Sequence, residues 1–177
     1  MMYRLLMVLG LLALAGCGAP KEDLATRPLV DLGNFRMGHN IVVGETARQM
    51  PPSRGATAEE WKTALTAAMD DRFSRYDGEK LYHFGVSVDA YTLAIPGIPI
   101  VLSPKSALVV SVTVWDNATQ TKLNEEVEQI VIFESLSTKT VTGSGLTQSK
   151  EDQIENLVKN AAFSIEKWMV QNNAWFQ

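Results

Sequence analysis

The spacing of apolar side chains changes twice along this chain of 177 residues, and that switch constrains the fold more than any other feature. Trp61, Leu65, Met69, Phe73 and Tyr76 recur every three or four residues, which is the period of one helix face. Thr57-Ala58-Glu59-Glu60 ahead of them has the form of a capping box, and Asp77-Gly78 supplies a stop, so a helix is predicted over 58–76. The period then drops to two. Tyr82, Phe84, Val86, Val88 and Ala90 alternate with His83, Gly85, Ser87, Asp89 and Tyr91, as in a strand with one buried face. Leu108, Val110, Val112 and Val114 repeat the pattern, and the turn at Asp116-Asn117-Ala118-Thr119 leads to a further strand around 126–136. The helical period returns at Ser149. Glu151 and Asp152 suit the positive end of a helix dipole, and Ile154, Leu157, Val158, Ala161, Ile165, Trp168 and Met169 form the stripe.

Ahead of the first helix, Ile41-Val42-Val43-Gly44 is a short β-branched run that predicts a first strand, and Met50-Pro51-Pro52-Ser53-Arg54-Gly55 breaks the chain after it. The order strand, helix, three strands, helix predicts an α+β fold: an antiparallel sheet of about four strands with two amphipathic helices on one face. Strands joined by short turns pair antiparallel, which is the reason for that expectation. A hydrophobic fraction of 46% supports one packed domain, placed at 40–177.

Residues before Cys17 follow a different logic. Met1-Met2-Tyr3-Arg4 is a positive start, and Leu5 to Gly16 is an apolar run that ends in small residues, the pattern of a secretory signal over 1–16. The run is too short to span a bilayer, which takes roughly 20 residues of helix. Cys17 is the single cysteine, so it has no internal disulfide partner, and its place at the leader boundary points to chemistry performed on its thiol. From Gly18 to about residue 39 no period persists, and Ala19-Pro20-Lys21-Glu22-Asp23 reads as a tether.

Leu14-Ala15-Gly16-Cys17 resembles the bacterial lipobox. That resemblance implies a diacylglyceryl group on Cys17, removal of the leader ahead of it, and palmitate among the attached chains. Gly18 in place of Asp after the cysteine implies, by likeness to enterobacterial sorting, the outer membrane. Lipobox, tether and element order together resemble the small α+β envelope lipoproteins, including auxiliary lipoproteins of lipid transporters, over roughly 40–172. Phe35-Arg36-Met37-Gly38-His39-Asn40 and Pro99 to Ser106 resemble segments of uncharacterised alphaproteobacterial lipoproteins.

Charge narrows the partners. Arg4 is the only charged residue before Cys17, so the mature part holds 15 basic against 20 acidic side chains, and nucleic acid is not an expected partner. No catalytic constellation, metal site or cofactor is expected. His39 is read as a loop residue and His83 as one on the polar face of a strand, neither near further ligands in sequence, whereas metal sites want three or four. Gly143-Ser144-Gly145 lacks the full nucleophile-elbow pattern and reads as a turn. Asp70-Asp71, beside Arg72, reads as a solvated face, and Asn117-Ala118-Thr119 as a turn in place of a sequon.

The most unusual stretch is Leu93 to Leu102, wholly apolar yet carrying Pro96 and Pro99, which exclude a central strand. Ile95, Ile98, Ile100 and Leu102 are the candidate partner-docking residues, against the alternatives of folding over the sheet or dipping into lipid headgroups. Trp175 and Phe176 are expected to staple the last helix. The expected function is a membrane-anchored, periplasm-facing accessory or scaffold subunit of an envelope complex that is not an enzyme. The alternative is a carrier of lipid or another apolar ligand, in a cavity between sheet and helices lined by the Trp61 and Trp168 stripes. A periplasmic hydrolase is the third class.

Overall fold

The computed structural model describes residues 27–96, 106–134 and 148–177. In chain order the elements are β1 (Phe35–Val43), β2 (Arg48–Gln49), α1 (Ala58–Phe73), β3 (Lys80–Thr92), β4 (Ala107–Asp116), β5 (Thr121–Lys122), β6 (Glu128–Phe133) and α2 (Lys150–Gln171). A 3₁₀ turn at Asn173–Phe176 follows. The strand expected at Ile41 begins at Phe35, so residues 35–39, expected in the tether, belong to the sheet.

The fold is α+β, but the sheet is mixed and has six strands among the described residues, which corrects the expectation of about four antiparallel ones. β3 and β4 pair antiparallel, as do β4 and β6 and the short β4–β5 pair. β1 and β2 instead run parallel to β3, β1 beside its first half and β2 beside Ala90 and Tyr91. The reason is α1. A helix between two strands returns the chain to the end from which it started, so neighbours connected through it point the same way.

α1 begins as the sequence predicts. Thr57 Oγ1 accepts from the Glu60 amide at 3.2 Å, and the Glu60 carboxylate accepts from the Thr57 amide at 2.7 Å. Gly44 sits where the end of β1 meets this first turn, and a Cβ there would lie 2.3 Å from the Ala58 carbonyl oxygen. α2 is capped by Ser149, whose hydroxyl accepts from the Asp152 amide at 2.9 Å.

Both helices pack on one face of the sheet. Trp61, Leu65, Met69 and Phe73 of α1 and Leu157, Ala161, Ile165 and Met169 of α2 are fully buried there, against Phe84, Val88, Val110, Val112 and Val114. The strand alternation holds up to Val88 and then reverses. The register of β3 with β4 shifts between Val88 and Ala90, so the inserted Asp89 exchanges faces, and Tyr91, expected outside, is buried while Ala90 is only partly covered. One aromatic cluster closes the far end of the core. Phe35 lies 5.5 Å from both Tyr76 and Tyr82 and 5.3 Å from Phe176 between ring centroids. Each such ring contributes about 1.5–3 kcal/mol through burial. The C-terminal turn thus staples to the core through Phe176, while Trp175 packs edge-on against Trp168 at 5.3 Å.

Candidate functional site

The helices α1 and α2 lie with their N-termini side by side, and a groove of about 620 Å³ runs between them on the side away from the sheet. Its floor is apolar, made by Ala64, Ala67 and Ala68 of α1 with Ile154 and Val158 of α2. Small side chains on α1 keep the channel open where larger ones would fill it. The rim is acidic. Glu59, Glu60 and Asp71 stand on one bank and Glu151 and Glu155 on the other, with Lys159 as the one lining cation. Asp70 and Asp71 are exposed, as expected, and Asp71 faces this groove.

Two of the five carboxylates are engaged by lysines. Lys159 contacts Glu155 at 2.6 Å, and Lys150 contacts Glu60. The Lys150 hydrogen bond, with help from the Thr57 amide, holds the Glu60 carboxyl down at about 2, and the same contact raises Lys150. Glu59, Asp71 and Glu151 form no ion pair among the described residues.

At the other end of α1 a second ion pair is buried. Arg72, next to the exposed Asp70 and Asp71, is fully buried, as is Glu166. Arg72 Nε and Nη2 donate to the two Glu166 oxygens at 2.8 and 2.6 Å, and the Tyr76 hydroxyl donates to Oε1 at 2.5 Å. Burial, with that hydrogen bond to the carboxylate, pushes the Tyr76 hydroxyl above the ordinary tyrosine range. The remaining guanidinium donors reach out of the core. They bond the carbonyls of Arg27 and Pro28 at 3.1 and 2.9 Å, and Arg75 also donates to the Arg27 carbonyl at 2.9 Å. The Arg27 guanidinium lies 4.2 Å over the Phe163 ring. The first described residues are therefore latched beside α1 and α2.

The sheet face turned away from the helices carries exposed apolar side chains, Ile41 at one edge and Val131 and Phe133 at the other. Between them Asp89 accepts from the Ser111 hydroxyl at 2.6 Å, the Ser87 hydroxyl at 2.9 Å and the Gln129 amide at 3.0 Å. Burial pushes that carboxyl up, but the three hydrogen bonds and nearby Arg48 outweigh it, and the net direction is down.

His39 and His83, 44 residues apart, stack with ring centroids 4.7 Å apart. His39 lies within β1, not in a loop, because β1 pairs with β3. The His39 amide donates to His83 Nδ1 at 2.8 Å, so Nε2 carries the proton that Asn117 Oδ1 accepts at 2.9 Å. Both His83 nitrogens are thus occupied. A Cβ on Gly38 would lie 2.5 Å from His83 Nδ1, so the ring packs where a side chain is missing. Among the described residues no three metal-ligating groups come together.

Cys17, Ile98, Ile100, Leu102 and the Gly143-Ser144-Gly145 turn lie outside the described residues. Ile95 is half-buried beside the buried Leu93. The residues expected to line a ligand cavity do not line the groove: Trp61 is buried against Tyr91 at 5.1 Å, and Trp168 is half-buried against Trp175. The sequence reading missed the groove, although its signal was there. Ala64, Ala67 and Asp71 recur at helical spacing on a line beside the apolar stripe of α1.

No protein-family profile matches the chain, and no curated protein matches it. Among solved structures it is similar to a lipoprotein candidate from Caulobacter crescentus CB15, at 12% identity over 73% of this chain and 92% of that one, with a TM-score of 0.43. A protein from Xanthomonas campestris is 8% identical over 77% of this chain and 87% of its own, with a TM-score of 0.41. A minor lipoprotein from Acinetobacter baumannii is 14% identical over 82% and 95%, with a TM-score of 0.35. Scores this low leave function to be argued from the chain's own residues.

Proposed function

We propose that the chain is a lipid-anchored protein of the bacterial cell envelope, facing the periplasm from the outer membrane and working as a non-enzymatic accessory or scaffold subunit. The observation that carries this reading is the position of Cys17, a single cysteine closing an apolar leader behind Leu14-Ala15-Gly16. A lone exported thiol at that boundary is explained by acylation. Two or more acyl chains are needed for stable anchoring, since one gives only marginal membrane binding.

The latch around Arg72 fits such an anchor. Arg27 lies ten positions after Cys17, a stretch that reaches at most about 35 Å when extended. Fixing Arg27 and Pro28 to the helices gives the domain a defined point of attachment beside the membrane. The helix N-termini, joined by the Lys150–Glu60 contact, lie at the opposite end of α1 from that point. Ile95, Ile98, Ile100 and Leu102 are a second proposed contact region for the same partner.

Cys17→Ser tests the reading. The variant is expected to remain an unprocessed precursor and to take up no labelled palmitate in cells, because the thiol is the acceptor and cleavage follows acylation. Normal processing and membrane retention of Cys17→Ser would sink it.

A further inference from the structure

Resting on the accessory-subunit reading, and naming the partner chemistry for it, we propose that the groove between α1 and α2 seats a cationic amphipathic helix of a partner protein, with aliphatic side chains on the floor and lysines or arginines on the rim.

The floor and the rim select different properties of the occupant. Ala64 and Ala67 offer apolar surface in the groove, backed by the buried Ala68, Ile154 and Val158, so a segment that covers them is best apolar on that side. Glu59 and Asp71 make no ion pair among the described residues, and Glu151 shares the charge of Lys150 with Glu60, so the rim around the apolar floor carries more negative than positive charge. Covering the floor with a neutral segment would bring these charges toward a drier environment unpaired, which is penalised, whereas a cationic flank compensates them. Asp71 points the same way. It stands in the last turn of α1, where a carboxylate opposes the negative end of the helix dipole, so it does not serve helix stability.

Length and charge sort the occupants. Thr57 to Asp71 spans about 21 Å of helix axis, enough for roughly 14 residues of a partner helix laid alongside. A second copy presenting the same face would set carboxylates against carboxylates. An anionic bilayer surface is repelled by the same rim. A peptide helix with aliphatic and basic stripes meets both requirements, in the helix-in-groove mode.

The test uses the full chain in dodecyl maltoside micelles, with protein-free micelles as the blank, and fluorescence anisotropy of two labelled helical peptides, one of leucine and lysine and one of leucine and glutamate. The Leu/Lys peptide is expected to bind saturably, and the Leu/Glu peptide at least about tenfold more weakly. Binding should weaken as salt shortens the Debye length from ~10 Å to ~3 Å. Asp71→Lys should lower affinity by about tenfold while leaving the melting temperature unchanged or higher, since a cation suits that end of the helix. Ala67→Trp, which fills the channel, should also lower it, whereas Glu125→Lys/Glu126→Lys on the β5–β6 loop should not. Equal binding of the two peptides, or indifference to both Asp71→Lys and Ala67→Trp, overturns the proposal. A concentration-dependent dimer, or a co-purifying acyl lipid seen by native mass spectrometry, overturns it as well if Ala67→Trp abolishes either. Palmitate incorporation at Cys17 is read separately, so the envelope assignment stands or falls on its own result.

Discussion

Two ion pairs join the same two helices and differ in almost everything except their charges. Arg72–Glu166 is bidentate, fully buried and shared with Tyr76 and with the carbonyls of Arg27 and Pro28. Lys150–Glu60 is single and partly exposed at 28% and 35%, at the N-terminal end of the groove. In the buried pair each ion depends on the other, because neither has water to turn to. In the exposed pair water replaces whichever partner leaves. The helix pair is therefore pinned at the end where the chain leads back toward Cys17 and only lightly tied at the helix N-termini. Local opening is expected to follow that gradient, with the N-terminal end yielding first.

The largest effect expected from breaking this arrangement comes at Glu166. Glu166→Gln leaves the Arg72 guanidinium buried beside a neutral amide and turns one of the two oxygens that accept from Arg72 and Tyr76 into a donor, a loss of about 3–5 kcal/mol. Urea unfolding followed by circular dichroism measures it. Arg72→Met/Glu166→Leu sharpens the point, because a buried pair replaced by apolar groups of similar size often loses little. The double variant is expected to regain most of the stability but to release residues 27–28, visible as faster proteolysis near Pro28. A double variant as unstable as the single one, or with the same cleavage rate as the parent, would mean that the pair does not hold the chain as described.

The comparison also shows what the sequence made legible. The capping box at Thr57 and the start of the second helix at Ser149 were plain because their signals are local, and both stripes followed from periodicity alone. The burial of Arg72 was not legible from its charge. Arg72 lies three residues after Met69 and seven after Leu65, on the apolar stripe, and Glu166 lies four after the buried Ala162. Opposite charges on two buried stripes were the available signal. The parallel β1–β3 pairing was hidden by the habit of pairing neighbouring strands antiparallel, although a helix between them argued otherwise. With that pairing went the His39–His83 stack, which no spacing within one segment reveals. The reversal at Asp89 was out of reach, since a bulge is fixed by its partner strand. Of the groove, only the small residues of α1 were visible, because a groove belongs to two helices at once.

A middle-sized effect is expected at Thr57, which belongs to the exposed end yet supplies the acceptor for a first-turn amide that has no partner within the helix. Thr57→Ala removes the acceptor for the Glu60 amide and leaves only the Glu60-to-Thr57 half of the box, a loss of about 1 kcal/mol. Urea titration should place it clearly below Glu166→Gln. A loss as large as that of Glu166→Gln would deny the gradient between the two ends.

The smallest effect is expected from Lys150→Gln, and its value lies in its pH dependence. The Lys150 hydrogen bond is the main reason the Glu60 carboxyl is lowered from 4.5 to about 2, with the Thr57 amide second. A carboxyl lowered in the folded state stabilises it fully above its unfolded value and loses that contribution as it is protonated. For Glu60 the window runs from about pH 4.5 down to about 2. Lys150 is raised by the same contact, so its share is present below its ordinary value and is lost as pH climbs beyond it. In Lys150→Gln the acid limb of a stability-against-pH profile should become smaller, beginning near the same pH of about 4.5 but ending at a higher pH than in the parent. It should not vanish, because the Thr57 amide still bonds the carboxylate. At neutral pH the variant should be nearly as stable as the parent, since both side chains regain water on separation, and added salt should erase the remaining difference. A neutral-pH loss comparable to that of Glu166→Gln, or an unchanged acid limb, would show that exposure does not set the worth of these two pairs.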